Sequence, residues 1–192
     1  MDIITIAEQN QRAAWKIVED TGIVPEWERI GGEVYIVGSL KSGLMMKNRD
    51  IDMHIYTESV DIAESFSVVK KLAENPAVKE IQYKNLLDTE EECIEWHVWY
   101  EDTALCKLDM IHIRRGSRYD GVVERVTDEI ISRLTPELKR RILQIKFDVP
   151  EGMLIPGIEI YHAVFTGGVR SYAELERWRK THPLRHSLEW RP

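Results

Sequence analysis

Residues 37–53 read Val37-Gly-Ser-Leu-Lys-Ser-Gly-Leu-Met-Met-Lys-Asn-Arg-Asp-Ile-Asp-Met53. Just ahead of them, Glu33 to Val37 is a short run of β-branched and aromatic residues, which reads as a strand ended by Gly38-Ser39. Leu40 to Lys47 has room for one or two helical turns, and Asp50 to Tyr56 alternates in the manner of a second strand. Residues two apart on a strand share a face and lie about 6–7 Å apart. Asp50 and Asp52 therefore set two carboxylates side by side, with no Lys or Arg between them on that face. Such a pair repels itself unless a cation joins it. Hard divalent ions take oxygen ligands of this kind, and Mg²⁺ commonly uses one or two carboxylates together with substrate phosphates. Gly38 lets backbone approach a ligand closely, and Ser39 adds a hydroxyl where a helix begins, a natural place for an anion. One short segment thus offers a metal site beside a phosphate site, the pairing that phosphoryl or nucleotidyl transfer requires.

Working outward, the chain alternates helices and strands before turning helical. Ile4, Ala7, Gln11, Ala14, Trp15 and Val18 fall at helical spacing over residues 3–20. Asp61 to Asn75 reads as a helix closed by Asn75-Pro76. Ile81-Gln-Tyr83, Cys93 to Tyr100 and Leu105 to Arg114 read as further strands, with a hairpin turn over Glu101-Asp-Thr-Ala104. Helices are expected over roughly 120–134, 136–147, 156–166 and 171–181. The charge changes along the chain. Residues 1–134 hold 16 Lys+Arg and 26 Asp+Glu, 16 − 26 = −10, and residues 135–192 hold 10 and 7, 10 − 7 = +3. Thr135 can cap a new helix with Pro136 at its first position. A junction there would divide the sequence into a core over 1–134 and a helical C-terminal region over 135–192, with two successive helices of one domain as the equally open reading.

Taken singly, an Asp-x-Asp pair or a Gly-Ser turn is commonplace. Their combination, with Ser39 and Asp50 eleven residues apart and strands on both flanks, is much rarer. It resembles the nucleotidyltransferases of the DNA polymerase beta superfamily, whose signature is Gly-Ser, a Gly four residues after the Ser, and Asp-x-Asp on the next strand. Gly38, Ser39, Gly43, Asp50 and Asp52 match in type and spacing, and Asp109 in Leu105-Cys-Lys-Leu-Asp-Met-Ile-His-Ile113 suits the family's third carboxylate. The motif covers about 17 residues, and the order of elements extends the likeness over roughly 30–114. The helical remainder is similar in general character to small antibiotic-modifying and minimal members.

The resemblance implies an α/β protein of the α+β type: a small mixed nucleotidyltransferase sheet with flanking helices and a helical C-terminal region. It implies transfer of a nucleoside monophosphate from an NTP, such as ATP, to an acceptor hydroxyl or phosphate, with release of pyrophosphate. Asp50, Asp52 and Asp109 would be the catalytic and metal-binding carboxylates, with two Mg²⁺ ions. Gly38 and Ser39 would hold the triphosphate, with Lys41 as a helper. The acceptor is left open among a small molecule, a protein and an RNA end, and so are the base and the oligomeric state. The chain departs from the family at Leu40-Lys41-Ser42, where Ala-Arg or a similar pair is common, and at Arg49, where Ser or Thr commonly precedes the first Asp. For Asp109 a plain ion pair with Lys107 on the same strand face is the competing reading. Two other functions stay open beside the transferase. One is a nucleotide-sensing or partner-binding module, which would have no need of three carboxylates; the other is a metal-dependent phosphohydrolase.

Other motifs fail on inspection. Leu44-Met45 follows Gly38 to Gly43 where a P-loop needs Lys-Ser/Thr, and no Gly-x-Gly-x-x-Gly, His-Glu-x-x-His or Cys-x-x-Cys is present. His54 shares a strand face with Asp50 and Asp52 and could line the site, whereas His97 and His112 read as packing residues. Trp96 and Trp99 invite a base-stacking reading, but alternate aromatics on a hairpin more often pack across strands. Lys139-Arg140-Arg141, Arg170, Arg177, Arg179 and Lys180 could receive a polyanion, against the plainer reading of a solvated helix face. Two cysteines, Cys93 and Cys106, make no disulfide framework and read as small core residues, so a reducing, cytoplasmic setting is expected. At 192 residues, 43 % hydrophobic and 31 % charged, the chain can bury a core and is no disordered tail. Its net charge of −7 weakens the case for a general nucleic-acid coater. No apolar run approaches the ~20 residues of a membrane span, and no signal peptide is visible, so no membrane partner is expected.

Overall fold

In the computed structural model, which describes residues 2–101, 105–184 and 190–192, the quoted segment lies at the heart of a five-stranded mixed sheet. Strand β1 (Glu33–Ile36) runs into helix α3 (Gly38–Ser42), and β2 (Asp50–Thr57) follows. The remaining strands are β3 (Val78–Asn85), β4 (Cys93–Glu101) and β5 (Leu105–Arg114), in the spatial order β1-β2-β5-β4-β3. Only β2 and β5 are parallel; the other three pairings are antiparallel. The hairpin turn expected between β4 and β5 falls at 102–104, outside the described residues.

Helices α1 (Ile3–Thr21), α2 (Ile23–Arg29) and α4 (Ile62–Ala73) accompany the sheet, and α5 (Val122–Arg133), α6 (Pro136–Asp148), α7 (Gly157–Gly167) and α8 (Tyr172–Thr181) follow it. The expected fold class therefore holds, and eleven of the observed elements begin within two residues of the sequence reading. The Thr135 hydroxyl accepts from the Leu138 N–H, which makes Pro136 the first helical residue as expected. Helix α2 was not expected. It is only 7 residues long, follows directly on left-handed Gly22, and is held by burial of Ile23 and Trp27 rather than by a sequence stripe.

Side chains bury into two main clusters. One lies between the sheet and helices α1, α2 and α4, and includes Trp27, Ile51, Met53, Ile55, Val68 and Trp96. The other joins the C-terminal helices through Ile130, Ile142, Ile145, Ile160 and Leu175. Two segments belong to both. The start of α1 gives Ile3 and Ala7 to the helical cluster, while Ala14 and Val18 further along pack on the sheet side. After α3, Leu44 and Met46 enter the helical cluster and Met45 enters the sheet cluster. This alternation in a loop of three apolar residues fastens the Gly-Ser-to-Asp segment between the two. Asn10 and Gln11 of α1 add fixed polar contacts, donating to the Met46 and Ser39 carbonyls at 3.0 and 3.1 Å. Among the described residues no helix is long and apolar enough to cross a membrane.

Candidate active site

The parallel register of β2 and β5 decides where the acids meet. Asp50 stands opposite Lys107 and Asp52 opposite Asp109, so Asp50, Asp52 and Asp109 share one sheet face. They came together from positions 57 residues apart because two strands of the same parity pair without a slip. His54 continues the same face along β2, and His97 on β4 is the cross-strand partner of Asp109.

The two strands give their acids different surroundings. Asp109 Oδ1 lies 2.6 Å from His97 Nδ1, and Oδ2 lies 2.9 Å from Lys107 Nζ. The ion pair with Lys107 that competed with the metal-ligand reading is thus present, with His97 as a second partner. Among the described residues neither Asp50 nor Asp52 has an ion-pair or side-chain hydrogen-bond partner. Burial, with Asp109 and Asp50 adding like charge, pushes the Asp52 carboxyl up from 3.8 to about 7. Burial and the charge of Asp109 likewise raise Asp50. Lys107 and Lys146 only partly offset this at both positions.

Gly38 has a packing role within the chain itself. Its φ is +63°, and a Cβ there would run into Asp52 Oδ2. The left-handed turn lets β1 end directly against the Asp52 side chain, while the Val37 N–H donates to the Asp52 carbonyl at 3.0 Å. Any side chain at position 38 would meet strain and a carboxylate at once. Ser39 follows on the cleft wall, and the Gly38 N–H donates to Thr127 Oγ1 at 3.3 Å.

A cleft of about 490 Å³ opens over these residues. Its sheet side carries Gly38, Ser39, Asp50, Asp52 and His54, and its helical side is made by α5, α7 and Lys146 of α6. Asp109 is not on this lining. Lys41 is also outside it: its Nζ pairs with Asp128 of α5 at 2.6 Å. The Nδ1 of His54 lies 2.9 Å from Glu124 Oε1, which also accepts the Tyr56 hydroxyl at 2.8 Å. This network anchors α5 to β2 at the rim of the cleft. Burial, the largest single influence, raises Glu124, but the hydrogen bond and charge of His54, a backbone N–H and the Tyr56 hydroxyl together outweigh it and hold the carboxyl below its usual value.

Lys146 and His97 are the residues that sequence reading missed. Lys146 Nζ donates to the Leu44 carbonyl at 2.8 Å and to the Tyr161 hydroxyl at 3.1 Å, and stands with no carboxylate partner among the described residues. Its position on α6 gives no local signal, since a lysine in the last turn of a helix is ordinary capping chemistry. His97 could have been found only from the β4–β5 register. The C-terminal arginines singled out earlier are mostly used locally: Arg140 with Asp2, Arg141 with Glu137, and Arg179 with Glu159 and Glu176. Trp96 is buried and donates to Ser65 Oγ at 2.8 Å, as the packing reading expected. Cys93 and Cys106 are free, buried thiols raised to about 12 by burial.

Among the described residues no three His, Cys, Asp or Glu side chains converge to hold a metal ion as they stand. The donor set still fits a hard divalent cation. Asp50 and Asp52 are two oxygen ligands with no cation of their own, and Mg²⁺ completes its shell with phosphate oxygens and water rather than an all-protein cage.

No family model and no curated protein sequence matches the chain. Solved structures do. The GLD-2/RNP-8 complex matches at 12 % identity over 92 % of this chain and 61 % of the other, with a TM-score of 0.57. The non-canonical poly(A) polymerase complex GLD-2–GLD-3 matches at 10 % identity over 95 % and 64 %, TM-score 0.54. The Cid1 poly(U) polymerase with Mg 3′-dATP bound matches at 19 % identity over 73 % and 42 %, TM-score 0.52. The chain spans less than two thirds of each solved chain. Identities this low speak to the fold. The chain shares its fold with these poly(A) and poly(U) polymerase structures, in line with the fold expected from residues 37–53.

Proposed function

We propose that the chain transfers a nucleoside monophosphate from an NTP to an acceptor hydroxyl or phosphate and releases pyrophosphate. The observation that carries this reading is the in-register placement of Asp50, Asp52 and Asp109 on one sheet face, with the first two unpaired on the floor of a cleft. Support comes from the Mg-nucleotide complex of the similarly folded Cid1 polymerase. Asp50 and Asp52 would hold Mg²⁺, with Asp109 as the third ligand of a two-ion set. Bound there, the metal would neutralise triphosphate charge and lower the pKa of the attacking hydroxyl.

The chain's own residues do the rest. Gly38 and Ser39 bind the triphosphate end. Lys146, a cation without a carboxylate partner among the described residues, offsets the phosphate charge from the opposite wall. The acceptor oxygen forms its bond to the α-phosphorus, its proton passes toward Asp109, and the bond to the β-phosphate oxygen breaks as pyrophosphate leaves. His97 and Lys107 position Asp109, and the His97 imidazole is placed to take the proton on from it. Chemistry of this kind rests on positioning and charge neutralisation rather than on a protein nucleophile. Residues 1–134 would form the catalytic unit and 135–192 the wall that closes over the nucleotide.

Incubation with each NTP labelled at the α-phosphate, Mg²⁺ and a cell extract tests the reading. Pyrophosphate with a labelled adduct is the expected result. Pyrophosphate with free NMP indicates a hydrolase, and label remaining wholly in NTP indicates a binding module.

A further inference from the structure

A second cavity of about 400 Å³ adjoins the nucleotide cleft. The two share Asn48, Lys146, Leu154 and Ile155, so one space continues into the other. The second is walled mainly by apolar side chains, and Leu105 and Leu154 on its rim are 56 % and 78 % exposed. Into it come Arg49, Lys47 and Lys146, against a single acid, Glu151. Lys47 Nζ is engaged by the Val149 carbonyl at 2.8 Å, and Lys146 faces the cleft as described. Arg49 is different: half-buried, it pairs with no carboxylate among the described residues. Its backbone is fixed all the same, since the Arg49 carbonyl accepts from the Lys107 N–H at 3.1 Å and from Cys106 Sγ at 2.7 Å. An arginine whose main chain is fixed at a cavity wall, with no carboxylate partner among the described residues, is suited to receive an anion.

We propose that this cavity binds the acceptor, and that Arg49 selects an acceptor carrying a carboxylate or phosphate on an apolar body. The assignment rests on the transferase reading above, because only that reading calls for a second substrate. Geometry supports the placement. Leu105, Lys107 and Asp109 share one face of β5, so the cavity lies up-strand from the acid proposed to take the acceptor proton. Arg49 precedes Asp52, the partner of Asp109, by three residues, roughly 10 Å along a strand. A molecule of nucleotide size can reach from one to the other. A cavity of 300–1,000 Å³ with apolar walls and one or two convergent polar groups is the usual form of a small-molecule site.

Binding of phenyl phosphate, 4-methylbenzoate and uncharged benzyl alcohol to the whole chain, without NTP or metal, tests this by calorimetry or ligand-observed NMR. Both anionic probes should bind at least tenfold tighter than benzyl alcohol, the scale of one charge-assisted hydrogen bond. Whichever of the two binds more tightly tells a phosphate acceptor from a carboxylate one. Arg49→Gln should erase the preference while melting normally, and Arg49→Lys should keep part of it. Asp52→Asn should bind the anionic probes at least as well as the parent chain. Equal binding of charged and uncharged probes, or an Arg49→Gln chain that keeps the preference, overturns the proposal. Displacement of the probe by metal-free ATP also overturns it, by placing the cavity inside the nucleotide's own site. A chain that binds probe through Arg49 but takes no NTP sinks the transferase reading and leaves anion recognition by Arg49 standing.

Discussion

Asp52 and Asp109 stand opposite each other across β2 and β5, yet among the described residues one has no ion-pair or hydrogen-bond partner for its side chain and the other has His97 and Lys107. On β2 the fold bears the cost of crowded, partly desolvated carboxylates and raises their pKa values. On β5 the same kind of side chain is compensated within the chain, by His97 and Lys107. The difference separates two tasks. An acid left unpaired by its own protein is suited to a cation that arrives from solution, and an acid held between two internal donors is suited to being oriented. The substitutions that follow should therefore act in opposite senses on the two strands.

Asp52→Asn should have the largest effect. Turnover should fall about a thousandfold, the scale seen when a preorganised charge-stabilising group is lost. The melting temperature should nevertheless rise, by roughly 2–4 °C for each kcal/mol of repulsion removed in a domain of this size. Asp109→Asn should also stop turnover but leave the melting temperature level or lower, because it strands His97 and Lys107. Melting curves and turnover on the same preparations check both; a lower melting temperature for Asp52→Asn would break the contrast.

Gly38→Val comes next. The side chain must enter at a φ of +63° and displace the Asp52 carboxylate, so about 1–3 kcal/mol of stability and at least tenfold of NTP affinity should be lost. Ser39→Ala should cost less, about one hydrogen bond to a charged partner. Nucleotide titration of the pair ranks them, and an unaffected Gly38→Val chain would mean that the turn does not shape the site.

The pH dependence has a definite sign. Asp52 keeps its proton to about pH 7 in the folded chain but only to 3.8 when its environment is ordinary. The folded state then binds more protons than the unfolded one between those values, so metal-free stability should fall as pH rises from about 4 to about 7. Asp50 acts in the same direction. Saturating Mg²⁺ should flatten the fall, because a bound cation favours the ionised form. Thermal melting from pH 4 to 8 with and without Mg²⁺ reads this directly, and identical slopes would contradict it.

Lys107→Met should produce the smallest change and the one that best sharpens the comparison. Removing that partly exposed donor costs about 1 kcal/mol or less in the pair itself, but it makes β5 resemble β2. The metal-free chain should melt slightly lower, and the stabilisation given by Mg²⁺ should grow. A Mg²⁺ shift equal to that of the parent chain would show that Asp109 plays no part in holding the ion.

How much of this was legible in the sequence follows from how far each signal travels. Gly38, Ser39, Asp50 and Asp52 lie within fifteen residues, and their spacing alone specified a strand, a turn and a paired-acid strand. Helix α6 was equally readable, because Thr135-Pro136 is a local cap that accepts from the N–H three residues on; Ser171 caps α8 in the same way but was not read as a cap from the sequence. Asp109 could be assigned by strand order, but not its pairing with His97, which depends on the register of β4. Lys146 joins the site from α6 through the Leu44 carbonyl, a contact spanning 102 residues that no local pattern encodes. Gly38 was legible for its conformational freedom, but Asp52, the neighbour that leaves no room for a Cβ, comes into view only once β1 and β2 pair.

The central claim is that the unpaired acids of β2 await a metal that travels with the nucleotide. Calorimetric titration of ATP at pH 7.5, with Mg²⁺ and with EDTA, tests it on the parent chain and on Asp52→Asn. The account predicts ATP affinity at least tenfold higher with Mg²⁺ in the parent chain, and loss of that gain in Asp52→Asn. Equal affinity with and without Mg²⁺ in the parent chain would contradict it.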